Sequence, residues 1–173
     1  MDEKIGKIVF SQEEIKRRII ELGKQISRDY VGKPLVVIGV LKGSLYFLSD
    51  LTRAIDIPLQ LDFIAIGNYS RETNRKGIVR ITKDLDLDIT DKHVLLIEDI
   101  LRTGLTIGYL VQNLEARQPA SVRVCTLLSN PQQQLINVPV EYSGFEIDRR
   151  RLVGYGMDIQ EEYRHLPYIA ELA

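Results

Sequence analysis

The chain has 173 residues, 45% hydrophobic and 27% charged, and its 23 Lys plus Arg against 24 Asp plus Glu leave a net charge of -1. That size and apolar content suit a single domain, residues 1–173, with a real core, and the balanced charge gives no global attraction to nucleic acid or to a membrane. A lone cysteine, Cys125, excludes an internal disulfide, no apolar run is long enough to span a membrane, and Met1-Asp2-Glu3-Lys4 lacks the apolar region of a signal peptide, so the expected location is the cytoplasm.

In chain order, Ser11-Gln12-Glu13-Glu14 is a capping box, and Ile15, Ile19, Leu22 and Ile26 follow at helical spacing, which predicts an amphipathic helix to Tyr30. Leu35 to Leu41 reads as a buried strand. Lys42-Gly43-Ser44 then turns into a helix expected to place Leu45, Leu48 and Leu51 on one face, and Gln60 to Ile66 is a third extended run. Residues 67–77 contain little to bury and predict a long exposed loop suited to an active-site lid.

Extended structure resumes at Ile78 to Ile81 and again at Val94 to Ile97, whose unbroken apolar character suits the interior of a parallel sheet. A helix ending near Arg117 precedes a strand over Ser121 to Leu128, where Cys125 is a small buried hydrophobe. Val138 to Phe145 is the last expected strand. Strands alternating with helices predict an α/β domain with a twisted, mainly parallel sheet, and such sheets bind ligands beyond the carboxyl ends of their strands. Lys42-Gly43, Glu98 to Thr106 and Ser129-Asn130 all fall at such ends.

The richest stretch is Val94-Leu95-Leu96-Ile97-Glu98-Asp99-Ile100-Leu101-Arg102-Thr103-Gly104-Leu105-Thr106. Adjacent carboxylates on an extended chain point to opposite faces, so Glu98 and Asp99 meet one ligand only where the strand opens into a loop. A cis-diol or a hard cation suits them there. Thr103-Gly104-Leu105-Thr106 adds two hydroxyls, a glycine permitting close backbone approach and the free N–H groups of a helix start marked by Ile107, Leu110, Val111 and Leu114. Those are the parts of a phosphate cradle. His93 and His165 have no partner at metal-ligand spacing, and no G-x-x-x-x-G-K-[ST] motif is present.

This segment resembles the phosphoribosyl diphosphate (PRPP) motif of type I phosphoribosyltransferases, and the likeness to the bacterial hypoxanthine-guanine phosphoribosyltransferases extends over nearly the whole chain. Leu41-Lys42-Gly43 resembles that family's pyrophosphate loop, which carries a non-proline cis peptide before the lysine. Asn68-Tyr69 sits where the family has its mobile lid. Gly144-Phe145-Glu146-Ile147, Val153-Gly154-Tyr155-Gly156-Met157-Asp158 and Tyr163-Arg164-x-Leu166-Pro167-Tyr168-Ile169 resemble its C-terminal segment.

The resemblance implies a type I phosphoribosyltransferase fold with a small C-terminal hood, and transfer of the 5-phosphoribosyl group from magnesium-PRPP to a ring nitrogen. In it Glu98 and Asp99 face the ribose, Thr103 to Thr106 hold the 5'-phosphate, and Lys42, Gly43 and Arg164 contact pyrophosphate. Asp158 joins Glu98 and Asp99 as the implied Mg2+ ligands, and Tyr155 lies near the acceptor. A homodimer or homotetramer is the usual assembly.

Three departures fall on the acceptor side. Arg102 stands where the family has its general-base aspartate, Asn130 where a lysine reads the purine 6-oxo group, and Arg151, beside Leu152, where an aromatic ring stacks on the base. A guanidinium stays cationic and takes no proton, so a purine N7 loses its base, while two arginines favour an anionic aromatic or heterocyclic acceptor. Conventional hypoxanthine salvage and a non-catalytic PRPP-binding regulator are the alternatives. Arg149-Arg150-Arg151, seen alone, is a solvated basic loop.

Overall fold

The computed structural model describes residues 5–68, 79–148 and 151–173, with the Asn68 side chain outside that set. In chain order they form β1 (Ile5–Phe10), α1 (Gln12–Asp29), β2 (Leu35–Leu41), α2 (Leu45–Ala54), β3 (Gln60–Asn68), β4 (Val79–Lys83), β5 (His93–Leu101), α3 (Leu105–Glu115), β6 (Ser121–Ser129), β7 (Tyr142–Glu146), β8 (Leu152–Val153) and β9 (Ile169–Leu172). A six-stranded sheet runs in the order β4-β3-β2-β5-β6-β7. Its strands are parallel except β4, which pairs antiparallel with β3.

The apolar runs divide by parity between two cores, as side chains alternating across a pleated sheet must. Leu35, Val37, Leu95, Ile97, Cys125 and Leu127 join α1 and α2 on one face. Val36, Ile38, Val40, Val94, Leu96 and Val124 join Ile107, Leu110 and Leu114 of α3 on the other. The sheet is therefore covered on both faces, as a parallel sheet requires. From the central pair β2 and β5, the connection through α2 leads outward to β3 and the one through α3 leads the opposite way to β6. This reversal makes the β2/β5 junction a topological switch point, the place where open α/β sheets bind ligands.

Several elements depart from expectation. Helix α1 is capped as the sequence predicts, with Ser11 Oγ accepting from the Glu14 N–H and the Glu14 carboxylate accepting from the Ser11 N–H. In α2, however, Phe47 rather than Leu45 joins Leu48 and Leu51 inside, and Leu45, the first residue of the helix, stays 44% exposed. The strand expected from Val138 starts only at Tyr142; Pro139 offers no N–H for the ladder, and Val138 is buried outside any strand. Gly67 and Asn68 belong to β3 and pair with Arg80 and Val79 instead of opening the loop. Ile78 and Tyr69 lie outside the described residues.

A second, three-stranded sheet has the order β1-β9-β8, all antiparallel. The hood implied by the resemblance is thus built partly from Ile5–Phe10, outside every expected element. That segment is mostly exposed and becomes a strand through pairing with β9 at the far end of the sequence, a partner that local periodicity cannot reveal.

Candidate active site

The acidic pair sits where the central ladder opens. Strand β5 pairs with β2 from His93 to Ile97 and no further, but remains paired with β6 as far as Leu101. Glu98 and Asp99, each 9% exposed, therefore lie on a strand held from one side and released on the other. Glu98 Oε1 accepts from the Asp99 N–H at 3.0 Å, and Asp99 Oδ1 accepts from the Ile100 N–H at 2.7 Å. Burial, and then the charge of Asp99, push Glu98 well above the ordinary carboxylate range. Two carboxylates held this close in a poorly solvated site await compensation by hydroxyl donors or a cation.

Beyond β2, the Leu41-Lys42 peptide is cis, as the resemblance implies. The loop runs between two parts of the site. A Cβ on Gly43 would lie 2.1 Å from Asp99 Oδ2, and a Cβ on Gly156 would lie 1.9 Å from the Gly43 carbonyl oxygen. Gly156 has φ +100°, a conformation that disfavours side chains. The Gly43 backbone consequently lies against the Asp99 carboxylate on one side and the Gly156 backbone on the other.

Beyond β5, Gly104 is the N-cap of α3 with φ +80°, and it supplies no side-chain cap. The Leu105 N–H has only a long 3.4 Å contact with Thr103 Oγ1. The loop is braced from behind, where the Thr103 carbonyl accepts from the Leu135 N–H at 2.9 Å. Thr103 and Leu105 are exposed and Thr106 half-buried, so under-used N–H groups at the positive end of a helix face outward beside two hydroxyls.

Arg102 is half-buried and makes no hydrogen bond or ion pair among the described residues. It neutralises neither Glu98 nor Asp99. Asn130 is fully buried: its backbone N–H donates to the Leu101 carbonyl at 2.9 Å and its Nδ2 to the Asp148 carbonyl at 2.8 Å, while Oδ1 has no partner. Its side chain therefore ties the wall behind Arg102 to the segment after β7. Arg151 is exposed and partnered, and Leu152 is buried in hood strand β8.

On the pyrophosphate side, Arg164 donates from NH1 to the Gly156 carbonyl at 2.7 Å and pairs through NH2 with Asp158 at 2.8 Å. Lys42 Nζ pairs with Glu161 at 2.9 Å, and Glu161 also reaches Arg164 at 3.3 Å. Glu161 and Gly156 were not singled out by sequence. Glu161 is masked in the polar run Gln160-Glu161-Glu162, where a solvated face is the default reading.

Glu98 and Asp99 adjoin one another, whereas Asp158 lies on the C-terminal segment. Among the described residues no three metal-binding side chains are already clustered. Asp158 faces Arg164 and the Glu161 N–H instead. The donors still fit magnesium in its usual manner, which uses one or two carboxylates and takes the remaining oxygens from phosphate and water. Tyr155 is anchored on α2. Its hydroxyl donates to Asp50 of α2 at 2.5 Å, and the side chain lines a cavity of about 600 Å³ between α1, α2 and Leu166-Pro167.

Comparison with known proteins agrees with this geometry. The phosphoribosyl transferase domain family matches residues 7–160. The chain is 45% identical over 174 residues to a hypoxanthine-guanine phosphoribosyltransferase of Mycobacterium tuberculosis (strain ATCC 25618 / H37Rv), covering 97% of this chain and 86% of that protein. Identity to a hypoxanthine phosphoribosyltransferase of Haemophilus influenzae is 42%, with 95% and 94% covered. A crystal structure of a Bacillus anthracis hypoxanthine-guanine phosphoribosyltransferase with a HEPES molecule in its active site superposes with TM-score 0.93 at 39% identity, over 98% of this chain and 100% of that one. A Staphylococcus aureus hypoxanthine phosphoribosyltransferase gives TM-score 0.92 at 41% identity, over 98% and 92%.

Proposed function

This chain belongs to the hypoxanthine-guanine phosphoribosyltransferase family and is an enzyme of phosphoribosyl transfer, and from that premise we propose that its acceptor is an anionic aromatic or heterocyclic compound rather than ordinary hypoxanthine or guanine. The donor is magnesium-PRPP. Thr103, Gly104, Leu105 and Thr106 hold its 5'-phosphate through the N–H groups and dipole of α3. Glu98 and Asp99 receive the ribose hydroxyls, and their charge favours the oxocarbenium-like cation that develops as the bond to pyrophosphate breaks. Lys42 and Arg164 take up the charge that accumulates on the departing pyrophosphate. Glu98, Asp99 and Asp158 are the residues that would hold a magnesium ion arriving with PRPP, and that ion would supply further neutralisation of the leaving group.

The acceptor reading is carried by Arg102, a half-buried cation three positions after Asp99 with no partner among the described residues. It cannot accept a proton from the acceptor, so the suited nucleophile is a ring nitrogen that attacks without giving one up. Asn130 supports the same reading, because its amide is buried and already donates to Asp148, leaving no lysine-like arm to read a 6-oxo group. Arg151 at the start of β8 brings a second cation for a carboxylate.

The test is pyrophosphate release from magnesium-PRPP across purines, pyrimidines and aromatic carboxylates. Turnover of a carboxylate-bearing acceptor at least tenfold above hypoxanthine is expected. Hypoxanthine turnover equal to that of the Mycobacterium tuberculosis relative overturns the proposal in favour of salvage. PRPP binding without turnover of any acceptor overturns it in favour of a regulator.

A further inference from the structure

The two cations assigned to pyrophosphate are held by a single protein carboxylate. Glu161 places Oε2 2.9 Å from Lys42 Nζ and Oε1 3.3 Å from Arg164 NH2. Lys42 arrives from the loop after β2 and Arg164 from the segment before β9, so Glu161 joins cations from distant parts of the chain. The backbone pays for this placement: Gln160 and Glu161 both have left-handed φ, +53° and +67°, which non-glycine residues rarely adopt. The Glu161 N–H donates to Asp158 Oδ2 at 2.9 Å, and Asp158 Oδ1 is 2.8 Å from Arg164 NH2. Two cations and two carboxylates thus close one compact network.

A carboxylate offers two anionic oxygens to two cations, much as one edge of a phosphoryl group does. We infer that Glu161 is a positioning residue that stands in for the pyrophosphoryl group, keeping Lys42 and Arg164 gathered, and is displaced when magnesium-PRPP binds. This inference rests on the reading that Lys42 and Arg164 hold pyrophosphate. The fit is asymmetric in a useful way. Lys42 and Glu161 side chains are 68% and 63% exposed, so their pair is an exchangeable surface contact. Arg164 is 22% exposed and also donates to the Gly156 carbonyl, so it stays in place as Glu161 leaves. The Lys42 hydrogen bond and the Arg164 charge hold the Glu161 carboxyl below its ordinary range, which keeps the internal counter-ion ionised.

Its consequence is a tax on phosphate affinity: every pyrophosphate group must first break the internal pairs and then tolerate a displaced anion nearby. The same residue helps expel the product, because Glu161 competes for the cations that retain it. A contact present only for local stability would have no such effect.

Calorimetric titration of the full chain with magnesium-pyrophosphate and with magnesium-PRPP requires no acceptor and tests the inference directly. Glu161→Gln should bind both about fivefold more tightly, the scale of an exposed ion pair. Glu161→Gly, which suits the left-handed backbone while removing the carboxylate, should do the same. Unchanged or weaker binding in both variants overturns the inference, as does a gain confined to Glu161→Gly, which would assign the effect to backbone strain. Lys42→Ala and Arg164→Ala separate the underlying reading. If neither weakens binding, the cation pair does not hold pyrophosphate and both readings fall; if they weaken it while Glu161→Gln changes nothing, only the role of Glu161 falls.

Discussion

Alanine at Gly156 tests whether the C-terminal segment positions the pyrophosphate loop by direct backbone contact. The new Cβ would begin 1.9 Å from the Gly43 carbonyl oxygen, whereas real Cβ contacts essentially never fall below 3.0 Å, so the two backbones must part by about 1 Å. Gly43 cannot retreat toward the acidic pair, since its own α-carbon is pressed against Asp99, with a Cβ position 2.1 Å from Oδ2. The strain of a side chain at φ +100° adds about 1–3 kcal/mol, and overpacking a further amount of about 1–3 kcal/mol. A misplacement of this size at a reacting centre costs about 100-fold in kcat/KM. Steady-state pyrophosphate release should show that loss together with weaker magnesium-PRPP binding and a lower Tm. Gly32→Ala is the control, because Gly32 also has a left-handed φ, +70°, but nothing lies within 4 Å of its Cβ position; it should lower Tm while leaving kcat/KM intact. Gly156→Ala with kcat/KM within about threefold of the parent would refute the reasoning, because the predicted shift exceeds what a positioned site tolerates.

Other expectations follow from particular contacts. The triple change Arg102→Asp, Asn130→Lys, Arg151→Phe should raise hypoxanthine turnover at least tenfold, and no gain would mean that the acceptor wall differs beyond these side chains. Asp62, 4% exposed, would be raised by burial alone, but the N–H groups of Leu87, Phe63 and Asp86, with Lys83 beside them, hold its carboxyl below the ordinary range. Its stabilising contribution is therefore full above the unfolded carboxylate range and lost as pH falls through the lower folded value; Asp62→Ala should cost about 3 kcal/mol at pH 7 by urea unfolding, and equal stability would sink this account. Glu98 has the opposite sign: with a raised folded pKa, its contribution is present below the unfolded value and disappears as pH rises through the folded one. Glu98→Gln should thus gain about 1 kcal/mol at pH 8 relative to pH 4 while losing PRPP binding, and a parallel pH-stability curve would contradict it. Ser11→Ala, which removes the capping box, should lower stability by about 1 kcal/mol without altering kinetics.

The parts visible in sequence were those governed by local chemistry. The apolar runs of β2, β5 and β6, the Ser11 cap and the Thr/Gly turn into α3 each carry their own signal and fall where that signal puts them. Alternation in β2 and β5 even anticipates the two cores, although it cannot say which helix covers which face. What escaped depends on distant partners. Ile5–Phe10 is a strand because β9 lies beside it, and Leu45, the first residue of its helix, yields its expected core place to Phe47. Glu161 carries no local signal because Lys42 and Arg164 reach it only through the fold, and nothing near Tyr155 in sequence points to Asp50 as the partner of its hydroxyl. The acidic pair was legible as residues but not as electrostatics, since the burial of Glu98 and Asp99 together depends on the surrounding fold.

The hood joins strands from opposite ends of the described chain, with Ile5 opposite Leu172 and Phe10 opposite Ile169. Contacts of such long sequence separation bear the largest loop-closure cost, whereas the β2-α2-β3 and β5-α3-β6 units close over short spans. The large sheet can therefore assemble its phosphate loop and acidic pair before the hood zips shut, and the hood can unzip without dissolving them. In hydrogen-exchange terms, amides of β1, β8 and β9 should open as one low-stability unit while those of β2 and β5 exchange only on global unfolding. Such a division gives the hood its own rhythm of opening at little cost to the sheet that carries the acidic pair and the phosphate loop, a thermodynamic seam between the two sheets.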